Sequence, residues 1–431
     1  MLAFFGFATI VVFLLLIIFR KLSVITALVL VPMVLGLIAG FNFFQLGEMA
    51  FAGMKQVAPT GILLMFAVLY FATMLDAGLF DPVISFIIRL VKGDPLKVIM
   101  GTAILTMIVH LDGDGTATFM IVLTAFLPIY RQLNINRLML PGIVALSVGP
   151  MHLVPWSGTS VRAMTVLNAN AGQLFIPNIP AIIAGIAWVL FVAYIWGKKE
   201  RKRLGVIHLA YNHKENLNEE QAGLRRPKLV FVNAVLTMLL IYFLMSGWIA
   251  APILFILFAV VALLLNYPGL PDQQKILKNH GANIFFVASM IFAAGVFSGI
   301  LTGSKMIEAM ANSVVSILPA QHASLLPAAT AVVSMPASIF FTPDAYYFGV
   351  VPVLSHAASQ LGVDPLEIGR ASLLGQMTVG FPLSPLTAST FLLIGLSGVE
   401  LGEHQRFTFK WAWITTVVMT IAALLSSSIH I

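Results

Sequence analysis

The residues best suited to chemistry lie in one short run, His110-Leu-Asp-Gly-Asp-Gly-Thr-Ala-Thr118, between apolar stretches at 98–109 and 119–129. Asp112 and Asp114 are hard oxygen donors of the kind that Mg²⁺ or Ca²⁺ takes. Gly113 and Gly115 allow a ligand to approach the backbone closely. Thr116 and Thr118 bring hydroxyls to the start of a returning half-helix, whose free amides and positive dipole end favour an anion. An acid at membrane depth costs about 2.5–3.5 kcal/mol on insertion scales, so two of them need a partner, a water-filled cavity or a ligand. The plainer alternative for either acid is that it caps the returning helix.

Two motif likenesses attach to the same run. Asp112-Gly-Asp-Gly-Thr116 fits the DxDGT pattern of phosphatases of the haloacid dehalogenase type, but that fold needs a soluble parallel α/β sheet. An EF-hand loop needs Glu at its twelfth position, where this chain has Leu123. Both are read as accidents.

A second polar interruption is Met151-His-Leu-Val-Pro-Trp-Ser-Gly-Thr-Ser-Val-Arg162. Pro150 and Pro155 forbid a continuous helix, and Gly158 loosens the turn after them. Backbone groups freed at membrane depth must line a cavity or bind something. Ser157, Thr159 and Ser160 supply oxygens there, and Arg162 a positive fork that suits a carboxylate. The alternatives for Arg162 are an ion pair with Asp76 or Asp112, or a side chain reaching the interface. His152 could carry a proton or donate to a substrate, or could simply be hydrogen-bonded. In the second half, Phe341-Thr-Pro-Asp-Ala-Tyr-Tyr347 repeats the first design with Thr342, Asp344 and Tyr346. Thr378, Ser384, Thr387, Ser389 and Thr390 are the polar positions of a further broken span, where they could equally re-satisfy backbone. Asp76 reads as interfacial and Glu308 as solvated.

The elements that hold these residues can be placed from composition. The chain has 431 residues, of which 59% are hydrophobic and 10% charged, with a mean hydropathy of +0.98. Soluble domains carry about 25% charged residues, so this is a polytopic membrane protein. The absence of Cys excludes disulfides, thiolate metal sites and cysteine nucleophiles. The net charge of +7 is read as membrane topology rather than nucleic-acid binding. Residues 1–19 lack a basic n-region and a small-residue cleavage site, and are read as a retained first span. Apolar spans are expected at 2–19, 24–44, 61–79, 180–196, 229–245, 248–265, 283–301 and 411–427. Broken spans at 138–167 and 371–396 bring the count to ten, and re-entrant helical hairpins are expected at 97–130 and 324–358.

With the polar tract 198–228 cytoplasmic, 20 of the 24 Lys and Arg residues fall on the inside. Both termini then lie outside. The halves also repeat: Gln132-Leu-Asn-Ile-Asn-Arg-Leu-Met-Leu140 aligns with Gln360-Leu-Gly-Val-Asp-Pro-Leu-Glu-Ile368 at an offset of 228 residues. That offset sets Asp114 on Thr342, Thr116 on Asp344, Thr118 on Tyr346 and Thr159 on Thr387. The expected fold class is all-α, with inverted repeats at 1–196 and 229–431 joined by a cytoplasmic linker at 197–228. Many secondary transporters share this plan, with substrate held near the midplane at discontinuous helices.

Four motifs in combination, Lys92-Gly-Asp-Pro-Leu-Lys97, Asp112-Gly-Asp-Gly-Thr116, Pro155-Trp-Ser-Gly-Thr-Ser-Val-Arg-Ala163 and Leu401-Gly-Glu-His-Gln-Arg-Phe407, resemble the CitMHS family. These are bacterial citrate–divalent-metal:proton symporters of the ion transporter superfamily, and the resemblance covers essentially the whole chain. It implies uptake of citrate complexed with a divalent cation, driven by protons. It also implies a homodimer in the bacterial plasma membrane, with a scaffold domain and a transport domain that moves like an elevator. His152 and Ser157 depart from the family pattern, where Asn and Gly are common, which points to a different substrate or metal preference. Asp112, Asp114, Thr116 and Arg162 match it.

Taken together, the expected function is secondary transport of citrate or a related carboxylate with a cation of the Mg²⁺ or Ca²⁺ type. No permanently bound cofactor and no nucleic-acid partner is expected. Asp112 and Asp114 are assigned to the metal. Thr116, Thr118, His152, Ser157, Gly158, Thr159, Ser160, Arg162, Thr342, Asp344, Tyr346, Ser384 and Thr387 are assigned to the substrate. The competing readings are a cation/proton antiporter, a carboxylate carrier without metal, and an intramembrane hydrolase pairing Asp112 or Asp114 with Asp344.

Overall fold

A computed structural model describes residues 1–19, 21–91, 93–206, 219–246, 248–317 and 320–430. Arg20, Lys92, Lys214 and the middle of the polar tract, which entered the reading of topology, lie outside these residues. Among the described residues there are helices and no strand.

The first apolar runs form α1 (Leu2–Ile18) and α2 (Val24–Ile38), the latter started by the Ser23 hydroxyl, which accepts the Thr26 N–H at 3.2 Å. A reciprocal cap between Asn42 and Gln45 starts α3 (Phe43–Asp76), 34 residues long. An amphipathic helix, α4 (Asp81–Val91), leads to the first hairpin, whose arms are α5 (Pro95–Val109) and α6 (Gly115–Gln132). The first broken helix comes next as α7 (Met139–Met151) and α8 (Gly158–Leu167), then the short α9 (Ala171–Leu174) and the long α10 (Ile179–Leu204). After α11 (Glu219–Leu224) come α12 (Val230–Ser246), α13 (Ala251–Asn266) and a second 34-residue helix, α14 (Leu270–Gly303). The amphipathic α15 (Met306–Ile317) precedes α16 (Leu326–Ala337), and after a wider turn over Ala345–Val350 comes α17 (Val351–Gln360). The second broken helix is α18 (Pro365–Leu373) and α19 (Ala388–Ser397), and α20 (Leu401–Leu425) closes the chain.

Six described helical stretches are long and apolar enough to cross a membrane. Large apolar side chains such as Phe4, Phe44, Phe231, Phe285 and Leu425 stand exposed on the outside of the molecule. Lipid satisfies such a surface and water does not. This is a multi-pass membrane protein. At its centre α3 and α14 cross backbone to backbone: a Cβ on Gly53 would lie 2.0 Å from the Gly295 carbonyl oxygen and 2.6 Å from Gly299 Cα. Small residues permit that approach, and close packing holds helices together where no hydrophobic drive exists in lipid.

The helix breaks at 110–114, 152–157, 338–344 and 374–387 fall where Gly, Pro and polar residues interrupt the apolar runs. The boundaries of the long helices differ from expectation. The span expected at 24–44 ends at Ile38, and the one expected at 61–79 is the second part of α3. The span expected at 283–301 is likewise the end of α14. Their polar first turns stay helical because the helix bonds its own backbone, whatever the side chains face.

Candidate functional site

The tip of the first hairpin is built by helix ends. After α5, residues His110–Asp112 make one tight 3₁₀ turn and Gly113 turns left-handed at φ 78°. A side chain at Gly113 would meet Trp156 Cδ1 at 3.2 Å and Ser157 Cα at 3.3 Å, so the tip lies directly on the first broken helix. The Trp156 indole N–H fixes this contact by donating to the Leu111 carbonyl at 2.8 Å. Asp112 Oδ1 accepts the Asp114 N–H at 2.9 Å, and Asp114 Oδ1 caps α6 by accepting the Thr116 N–H at 2.9 Å. The capping alternative therefore holds for Asp114, while Asp112 closes the tip turn ahead of the helix, and each spends only Oδ1 on these bonds.

The first broken helix restarts at Ser157, whose hydroxyl accepts the Ser160 N–H at 3.2 Å, while the Ser160 hydroxyl donates to the Leu153 carbonyl at 3.0 Å. One turn on, Arg162 folds back over its own helix. Its Nη1 donates to the Gly158 carbonyl at 2.8 Å, and its Nε donates to Asp344 Oδ1 at 2.7 Å.

These groups border a cavity of about 530 Å³, within the range of small-molecule sites. Asp112, Gly113, Asp114, Thr116 and Ala117 line it from the hairpin, and Trp156, Gly158 and Arg162 from the broken helix. The first turns of α6 and α8 thus both reach it, bringing two positive helix ends beside one guanidinium and two carboxylates. The facing wall comes from α3, including Phe71, and from α14, including His280 and Asn283. Phe71 stacks on Trp156 with ring centroids 5.3 Å apart.

The sequence matches the citrate transporter family CitMHS over residues 13–375. It is 52% identical over 425 residues to a protein of Bacillus subtilis strain 168 named citrate transporter, covering 99% of both chains. A second protein of that strain, named Mg(2+)/citrate complex secondary transporter, is 47% identical over 435 residues, with 100% of each chain covered. The chain belongs to the citrate transporter family. Its fold also resembles the crystal structure of the YdaH transporter of Alcanivorax borkumensis, with a TM-score of 0.61 and 13% identity over 87% of this chain and 86% of that one.

Because the citrate transporter family is one of transporters and not enzymes, the hydrolase reading falls away. The phosphatase likeness fails on structure too, since a helix, α5, leads into Asp112 where that motif needs a strand.

Of the residues assigned from sequence, Asp112, Asp114, Thr116, Gly158 and Arg162 line the cavity. The others do not. Arg162 does pair with an acid, but with Asp344 at the start of the turn before α17 and not with Asp76 or Asp112. Thr118 and His152 are buried behind the tip on either side of His110: His110 Nδ1 lies 2.9 Å from Thr118 Oγ1, and His110 Nε2 lies 2.8 Å from His152 Nδ1. The Thr118 hydroxyl donates to the Asp114 carbonyl, so it accepts from His110 Nδ1–H, and His110 Nε2 in turn accepts from His152 Nδ1–H. His152 thus braces the tip through His110. Thr159 donates to the Met377 carbonyl at 3.1 Å, tying the two broken helices together, and Ser157 and Ser160 serve their own turn. Thr342 accepts the Ala345 N–H, Tyr346 meets Ser372, Ser384 accepts the Leu386 N–H, and Thr387 donates to the Phe381 carbonyl.

Sequence reasoning missed His280, whose Nε2 lies 2.8 Å from Asp76 Oδ2, and Asn283. A polar pair three residues apart on α14 was the one signal for them, and it fell at the edge of the apolar run expected at 283–301.

Proposed function

We propose that the protein is a secondary active transporter that imports citrate as a complex with a divalent cation, coupled to protons. The observation that carries this reading is the cavity, where Asp112 and Asp114 face Arg162 beside two helix N-termini. Each aspartate has Oδ2 left for a metal, directly or through water. Arg162 and the first turns of α6 and α8, with Thr116 and Gly158, hold the free carboxylates. A naked Mg²⁺ demands about six oxygen ligands in octahedral array. No group of three or more metal-ligating side chains occurs among the described residues. Two carboxylates suit a cation that arrives already wrapped in carboxylate and water, which favours the complex over a cation antiporter. The relative named for a Mg²⁺/citrate complex supports the same choice.

The transport movement is proposed as elevator-like, in inverted repeats. In support, each half presents a 34-residue helix, an amphipathic helix, a hairpin and a broken helix in the same order. We further propose ten spans and two re-entrant hairpins, repeats at 1–196 and 229–431 around a cytoplasmic linker, both termini outside the bacterial plasma membrane, and a homodimer. Uptake of labelled citrate by proteoliposomes tests the central claim. It should require a divalent cation; full uptake in the presence of a chelator would overturn the complex.

A further inference from the structure

Arg162 has one face on the cavity and one partner behind it. Its side chain is 14% exposed and that of Asp344 only 5%. Nε holds Asp344 and Nη1 holds Gly158, while Nη2 has no partner among the described residues. Asp344 depends on this cation. The turn that carries it adds Tyr346, close to Ser372, and Tyr347, which donates to the Gln376 carbonyl. Four helices pack along that turn, and α18 reaches it through Ser372; the charged residues of α18 are already paired, Glu367 with His430 and Arg370 with Asp364. From α8 comes Arg162 itself, and α1 has no charged or titratable side chain. The only such residue of α17 is His356, which is exposed. From Gly281 to Gly303, α14 has none, and His280 beyond it is paired with Asp76.

We propose that a cargo carboxylate competes with Asp344 for Arg162, and that the displaced Asp344 takes up the coupled proton. The proposal rests on the reading that Arg162 binds cargo. When the guanidinium turns to the cargo, Asp344 is left as a buried carboxylate without a counter-ion, which is neutralised rather than tolerated. The proton comes from water in the cavity through the space Arg162 vacates, and no bond to the cargo forms or breaks. On release, Arg162 returns to Asp344 and expels the proton. Cargo without the proton strands Asp344, and the proton without cargo strands Arg162, so both travel or neither does.

The test is calorimetric titration of the purified full-length protein with Mg²⁺-citrate, in buffers of different ionisation enthalpy, at a pH where the complex itself is unprotonated. The wild type should take up about one proton per complex bound. Asp344→Asn should bind with no proton uptake and, in proteoliposomes, lose accumulation driven by an acid-outside gradient; Asp344→Glu should restore both. Difference infrared spectra of the wild type should gain a protonated-carboxyl band on binding, a readout independent of whether the Asn variant folds. Equal proton uptake by wild type and Asp344→Asn, or no new carboxyl band, overturns the assignment. Citrate binding without proton uptake by the wild type overturns this assignment alone, whereas no binding of Mg²⁺-citrate by the wild type overturns the proposed function as well.

Discussion

Replacing Asp114 separates its two jobs. Asp114 Oδ1 caps α6 at 2.9 Å from the Thr116 N–H, and its exposed remainder faces the cavity. In Asp114→Asn the amide oxygen can accept the same bond, and Asn caps helices as well as Asp does, so stability should change by less than about 0.5 kcal/mol. The negative charge is lost. Removing even an outer-sphere partner of a bound metal typically costs about 10–100-fold in affinity, which corresponds to about 1.4–2.8 kcal/mol. Asp114→Ala should lose the cap as well, about 1 kcal/mol of stability, with a similar loss of affinity. Binding isotherms for Mg²⁺-citrate and for citrate in excess chelator, together with melting temperatures in one detergent, give every quantity. The Asn variant should weaken the metal complex far more than free citrate. Wild-type affinity for the complex in Asp114→Asn, with folding intact, would refute a metal role for this carboxylate.

Thr118→Val keeps the shape but strands His110 Nδ1, and should cost about 1–3 kcal/mol in stability, read as a lower melting temperature. Citrate affinity should hold, because Thr118 is buried behind the tip; a selective loss of affinity would return it to the binding site. Gly299→Ala would place a methyl group 2.3 Å from the Met49 carbonyl oxygen and 2.8 Å from Gly53 Cα. Backbone cannot step aside as a side chain can, so a loss of about 1–3 kcal/mol is expected in thermal melts. The chain has no Cys, so single cysteines report orientation cleanly. One at Lys198 should react with an impermeant maleimide only in inside-out vesicles, and one inserted directly after Met1 only in right-side-out cells.

The parts legible in the sequence are those written locally. Gly113, Gly115, Pro150, Pro155, Gly158 and Pro343 interrupt oily runs, and a run that stops being helical at membrane depth declares itself as a hairpin tip or a broken helix. The two acids of the first tip and Arg162 were legible for the same reason. The beginnings of α3 and α14 were not, because residues such as Glu48, Lys55, Asp272 and Lys275 resemble loop composition while forming regular helix. Pairings across the fold were also hidden. Arg162 and Asp344 are 182 positions apart, and Asp76 and His280 are 204 apart. Spacing within one helix speaks only to neighbours three or four positions away. The second hairpin was expected to present its hydroxyls to a ligand. Its Thr342 and Tyr346 instead satisfy backbone and Ser372, a use that depends on which helix happens to lie alongside.

Near its end the polar tract between the halves carries Arg225 and Arg226, which close helix ends elsewhere in the fold. Arg225 Nη1 donates to the carbonyls of Leu75 and Asp76, and the Arg226 backbone N–H donates to that of Ala77, so the end of α3 is closed by residues about 150 positions further on. Arg226 Nε also closes α13 at Asn266, and the Tyr267 hydroxyl reaches back to the Leu224 carbonyl. During synthesis the first half is therefore made with one helix end open, and stays unfinished until the end of the linker has been made. Two fragments split on the N-terminal side of Arg225 should need each other to mature, with the missing cap arriving on the later piece.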